Sequence, residues 1–174
     1  PYDVGSGEMT LSRPLQPGLV YETEGDAYVL FFCGLGYGAD RIRRISSSVS
    51  SNFSCPAAPT TSSSSDLISQ MNYPSIGVSN LRGNETKAVN RTVTNVGEEE
   101  SIVYTAATEV PNGKVAVTVN PSVLEFAKGI DKLTFQVSFT GLNVAVGEDI
   151  FGSITWSSGN KYSVRSPFVV RNAA

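Results

Sequence analysis

From Tyr73 onward apolar and polar residues alternate, and a period of two marks β-strands that bury one face. Val115, Val117 and Val119 alternate with Ala116, Thr118 and Asn120. Leu133, Phe135, Val137 and Phe139 alternate with Thr134, Gln136, Ser138 and Thr140. Ile150, Gly152, Ile154 and Trp156 share one side of the next run, and Tyr162, Val164, Ser166, Phe168 and Val170 one side of the last. The stretch VNRTVTNVG, residues 89–97, reads as another strand, ended by Gly97. Turn chemistry in NVGEEE, PNGK, AKGID and SSGNK separates the runs. About seven short, half-buried strands in about 100 residues specify an antiparallel β-sandwich.

Residues 1–72 follow another pattern. The first 25 are rich in Gly and Pro and read as an ordered, irregular connector. Asp26 is placed to cap a helix through AYVLFFCGLG, which is apolar almost all round and must be covered on most sides. ADRIRRI reads as a short second helix, with Ile42 and Ile45 sharing a face and the arginines outward. From Ser46 to Ser65 the chain turns to Ser, Thr, Ala and Pro and reads as a loop. The expected division is therefore residues 1–72, a mixed piece not able to fold alone, and 73–174, a self-sufficient sandwich.

Composition excludes several kinds of chemistry. A chain of 174 residues with 40% apolar residues can bury a core. Net charge is -3, and the only basic concentration is Arg41, Arg43 and Arg44, which argues against nucleic acid. No apolar run reaches membrane-spanning length. There is no histidine, so neither a Ser-His-Asp nor a Cys-His nucleophile can be assembled from this chain, and histidine metal sites are excluded. Cys33 and Cys55 are too few for a metal cage; they either form one disulfide, in an oxidising compartment, or remain buried thiols. The chain starts at Pro1 with no initiator Met or signal sequence, so a processed start or a fragment is expected.

The short motif matches favour structure over catalysis. Gly5-Ser6-Gly7 is a lone G-x-G and reads as a tight turn. Ser158 and Lys161 have S-x-x-K spacing, but Gly159-Asn160 between two strand patterns reads as a hairpin turn. Glu98-Glu99-Glu100 reads as a solvated loop tip. Nothing in the spacing of Asp3, Glu8, Glu22, Glu24 and Asp26 pairs them for acid–base work. Three N-x-[ST] sequons begin at Asn52, Asn84 and Asn90. They are glycan acceptors only in a secreted protein; Asn52 and Asn84 fall in loops, whereas Asn90 falls within a strand.

Taken in order, PYDVGSGEM, QPGLVYE, AYVLFFCGLGY, SCP, MNYPSIGV, NRTVTNVG, YTAATEVPNGKVAVTVNPSVLEF and GSITWSSGNKYSVRSPFVV resemble the carboxyl-terminal part of plant subtilisin-like serine proteases, the subtilases. The resemblance covers essentially the whole chain. MNYPS, RTVTNVG and VRSP are specific in combination. It departs from the family at AYVLFF, where an acidic residue often precedes Tyr, and in a longer Ser-rich insertion before Asp66. The resemblance implies a mainly β fold, an antiparallel fibronectin type III-like β-sandwich preceded by a partly helical remnant of a subtilisin-type α/β peptidase domain. It implies that the Asp–His–Ser triad and its oxyanion-hole Asn lie upstream, since the G-T-S-M-containing nucleophile segment is absent. No catalytic, cofactor-binding or metal residue is therefore carried over to this chain.

The resemblance also implies that Cys33 and Cys55 pair, and that the protein is secreted to the plant apoplast or cell wall. The implied partner is the upstream peptidase domain, through which a protein or peptide substrate is met, with no nucleic acid, membrane or cofactor. On this reading the chain is a scaffold that packs on the peptidase domain and supports hydrolysis without performing it. Two alternatives stand beside it: a stand-alone β-sandwich binding module for protein or glycan, and a non-catalytic product of a truncated gene.

Overall fold

The structure, a computed structural model, describes residues 15–56, 64–110 and 113–172. Gly5, Ser6, Gly7, Asp3 and Glu8, singled out above, lie outside the described residues.

Nine strands and three helices are seen among these residues. In chain order they are β1 (Leu19–Val20), α1 (Gly25–Gly34), α2 (Ala39–Ile45), α3 (Ser64–Ser69), β2 (Ile76–Ser79), β3 (Thr86–Asn95), β4 (Ile102–Glu109), β5 (Val115–Asn120), β6 (Val123–Phe126), β7 (Lys132–Gly141), β8 (Asp149–Ser158) and β9 (Tyr162–Arg171). Two sheets form the sandwich, one ordered β1-β3-β7-β5 and the other β2-β9-β8-β4-β6. The alternating apolar positions turn inward as their period requires. Phe135, Val137 and Phe139 of β7 and Ile150, Ile154 and Trp156 of β8 are all buried. Aromatic rings lock one sheet onto the other: Phe135 meets Trp156 with ring centres 4.9 Å apart, and Phe139 meets Phe168 at 5.1 Å, both edge to face.

Three features differ from the sequence expectation. The sandwich is antiparallel except where β2 runs parallel to β9, with Ile76 opposite Phe168 and Val78 opposite Val170. These strands are far apart in sequence, so no hairpin dictates their direction. β2 and β6 have four residues each and β1 two, too short for a period to show. β1 also comes from the segment expected to lie outside the sandwich, yet Leu19 and Val20 pair with Asn95 and Thr94 of β3.

The helices differ in detail too. Asp26, expected to cap α1, lies within its first turn. Glu24 holds the N-cap position, and its carbonyl accepts the Ala27 N–H at 3.1 Å. An acidic residue in the first turn still faces the positive end of the helix dipole. Ile42 and Ile45 do not share a buried face: Ile42 is 1% exposed and Ile45 57%. Ile45 is the last residue of α2, and the chain continues in an extended conformation at Ser46. α1 packs against α2 and α3, while Tyr28, Leu30 and Leu35 remain substantially exposed.

Candidate functional site

Among the described residues, those singled out from sequence do not gather into one site. Ser158 ends β8 and Lys161 closes the β8–β9 hairpin, its N–H donating to the Ser158 carbonyl at 3.0 Å around Gly159, whose φ of +52° suits a left-handed turn. The Lys161 ammonium pairs with the carboxylates of Glu98 and Glu99, and Glu100 lies 3.6 Å from Lys128. The acidic run is thus matched by lysines. Glu22 pairs with Lys132 at 2.8 Å and accepts from the Thr94 hydroxyl, and these partners hold its carboxyl below the usual range. Glu24 caps α1. No group of three His, Cys, Asp or Glu among the described residues is placed to hold a metal.

Cys33, near the end of α1, is joined by a disulfide to Cys55, with Cα atoms 5.6 Å apart. The bond ties α1 to the strand-less segment after α2, where Arg43 donates to the Ser51 and Phe53 carbonyls. Asn52 and Asn84 sit in exposed turns. Asn90 is an outward residue of β3 whose side-chain oxygen accepts from Gln136 Nε2 at 3.2 Å.

A different group of residues does converge, at the seam where the helical segment meets β3. One edge of β3 pairs with β7 along Thr86–Thr94, but β1 covers the other edge only at Thr94 and Asn95. Two side-chain amides complete that edge. Asn72 Nδ2 donates to the Thr92 carbonyl and Asn72 Oδ1 accepts the Thr92 N–H, each at 2.9 Å. Gln70 does the same one step along, with Nε2 donating to the Ala88 carbonyl and Oε1 accepting the Asn90 N–H. A carboxamide carries one acceptor and two donors in a plane, so it can substitute for a peptide group and blunt an otherwise open edge. Asn72 also donates to the Glu22 carbonyl, and the Thr23 hydroxyl donates to the Asn72 carbonyl at 2.7 Å. Connector, turn and strand are stitched together at this one residue.

Arg91 is the second unforeseen residue. Its place in the alternation, between Val89 and Val93, puts it on the inward face of β3, and it is 2% exposed. That parity was readable in VNRTVTNVG and was the signal available to find it. Nε donates to the Tyr73 carbonyl at 3.0 Å and Nη1 to the Asn90 carbonyl at 2.8 Å. No carboxylate of the described residues pairs with it. Burial lowers its pKa to about 10, so it stays charged at neutral pH. Nearby, Tyr21 and Ser166 share a hydrogen bond of 2.7 Å, and burial raises the Tyr21 hydroxyl. Arg91 forms part of the floor of a cleft of about 380 Å³ walled by Tyr28, Phe31, Ile68, Met71 and Tyr73. This constellation sets a cation among apolar walls, an arrangement suited to binding and positioning.

Residues 70–170 match the family model of the fibronectin type-III domain. The chain is 46% identical over 170 residues to the CO(2)-response secreted protease of Arabidopsis thaliana, a match covering 98% of the chain and 21% of that protein. It is 44% identical over 174 residues to subtilisin-like protease SBT5.1 of the same plant, covering 98% and 22%. To the subtilisin-like serine-protease S of Lotus japonicus it is 38% identical over 167 residues, covering 96% and 20%. The chain spans about a fifth of the length of the curated relatives it matches. With a sandwich that fits the domain model and a collinear match along nearly its whole length, the chain belongs to the fibronectin type-III family in the form carried by the carboxyl-terminal part of plant subtilisin-like proteases.

Proposed function

We propose that the chain is the carboxyl-terminal scaffold region of a secreted subtilisin-like serine endopeptidase. Residues 1–72 close the peptidase domain and connect it, and 73–174 are the sandwich. The triad lies on preceding polypeptide, and peptide substrates are met there. The observation that carries the reading is a match over 98% of the chain that spans only 21% of a relative called a secreted protease, in a sequence without histidine. Two features of the structure support it. Tyr28, Leu30, Leu35 and Ile45 lie exposed on or beside two short helices, where an adjoining layer can cover them. The Cys33–Cys55 disulfide accords with an oxidising, extracellular setting such as the apoplast.

Covering about 400 Å² of that apolar surface contributes on the order of 10 kcal/mol in gross terms before ordering costs. In a secreted protein the exposed turns at Asn52 and Asn84 suit glycan attachment better than Asn90 within β3, and peptide mass mapping after deglycosylation distinguishes them. The catalytic assignment is tested on the isolated 174 residues with a casein substrate and a fluorophosphonate that labels activated serines. Neither cleavage nor labelling is expected; labelling of any serine in this chain overturns the reading.

A further inference from the structure

We propose that the cleft floored by Arg91 is a carboxylate-binding site, and that its occupant is an acidic side chain borne on an apolar segment of the peptidase portion. The proposal rests on the reading above that such a portion precedes the chain.

A guanidinium that is 2% exposed is expensive to bury without a counter-charge, and buried charges are ordinarily paired. Among the described residues the Arg91 side chain makes two hydrogen bonds, both to backbone carbonyls, through Nε and Nη1. Nη2 donates to nothing among the described residues, and no carboxylate among them pairs with the group. Two cations at the rim of the sandwich have acids beside them: Lys87 has Asp66 at 2.9 Å and Arg171 has Asp149 at 3.3 Å. Arg91 is the buried exception, and its remaining donors form a fork of the kind that accepts a carboxylate.

The walls define the rest of the ligand. Tyr28 and Phe31 are three residues apart on one face of α1, and Met71 and Tyr73 come from the turn after α3. Tyr28 and Tyr73 are each about half exposed, at 46% and 52%. Aromatic walls over a single cation suit one negative charge on an apolar body, and a cleft of about 380 Å³ holds a side chain with its neighbours. A polyanion is disfavoured by the chain's net charge of -3. The exposed apolar residues of α1 continue from the cleft, so one docking segment can cover both.

The test titrates the 174-residue chain at neutral pH with 3-phenylpropionate and, separately, its uncharged amide, following backbone amide NMR shifts. The acid is expected to bind at least tenfold tighter than the amide, shifting residues around Tyr28, Tyr73 and Arg91. R91M is expected to abolish the difference and R91K to keep part of it. In the polypeptide that also carries the peptidase portion the acid is expected not to bind, because the site is filled. Equal affinity for acid and amide in the unmodified chain overturns the carboxylate site, whether or not R91M folds. Equal binding of the acid in the joined polypeptide overturns the assigned occupant. Neither result bears on whether the isolated chain labels with a fluorophosphonate, so this inference and the scaffold reading fail separately.

Discussion

Asn72 concentrates more structure in one side chain than any residue the alternation pointed to. Its carboxamide satisfies both backbone groups of Thr92 and the Glu22 carbonyl, joining the connector to the sandwich. Asn72→Ala removes these bonds and leaves part-buried backbone groups unpaired, at an expected cost of about 2–3 kcal/mol in urea unfolding. An unchanged midpoint would show that the edge needs no cover.

Tyr104 is the opposite case. Its ring packs edge to face on Phe126, but its hydroxyl, fully enclosed, has no hydrogen-bond partner among the described residues. Tyr104→Phe is expected to be neutral or to stabilise by about 1 kcal/mol. Burial, with Tyr162 adding to it, pushes the Tyr104 hydroxyl up to about 12 from an ordinary 10.0. The neutral phenol's contribution is therefore complete below pH 10 and is lost as pH rises towards 12. The difference in stability between wild type and Tyr104→Phe should change across that window and stay flat below it. Asn72 and Arg91 were hard to read in advance because their roles depend on which backbone groups the fold leaves open. Periodicity gives the direction a side chain faces, not what it meets.

At the scale of elements the long strands were legible. β3, β7, β8 and β9 have ten residues each, enough for alternation to declare a buried face, and the Ser158–Lys161 turn is the hairpin its sequence suggests. β1, β2 and β6 were not, since two to four residues carry no period and their pairing is decided by distant partners. The start of α1 lies two residues before the expected one, with Glu24 at the N-cap and Gly25 the first helical residue. Gly152 shows where alternation hides a steric rule. It holds an inward position in β8, and a Cβ there would stand 2.5 Å from the Glu109 carbonyl oxygen and against the Phe168 ring. Gly152→Ala is expected to cost about 2–3 kcal/mol by forcing β4 and β8 apart, read as a fall of several degrees in thermal midpoint. A midpoint within one degree of wild type, on the order of the smallest ΔΔG resolved this way, would mean the ring and strand yield freely.

For the whole molecule, two kinds of surface divide the chain. The sandwich buries its own core between two sheets, whereas α1 and α2 leave large apolar side chains at the surface and Arg91 leaves donors facing an apolar cleft. The absence of histidine was legible at once and excluded a triad, while the cleft depended on three segments far apart in sequence and could not be seen before they met. The proposed scaffold role draws on that division, with another layer covering the edge that the sandwich leaves open. The most direct measurement compares the half-life of peptide-cleaving activity at about 37 °C, below the roughly 45–65 °C range of mesophile midpoints, for the joined polypeptide with and without residues 73–174. The account predicts that removing the sandwich shortens that half-life at least tenfold or prevents recovery of active protein. Equal half-life and equal cleavage rate in the two forms would contradict it.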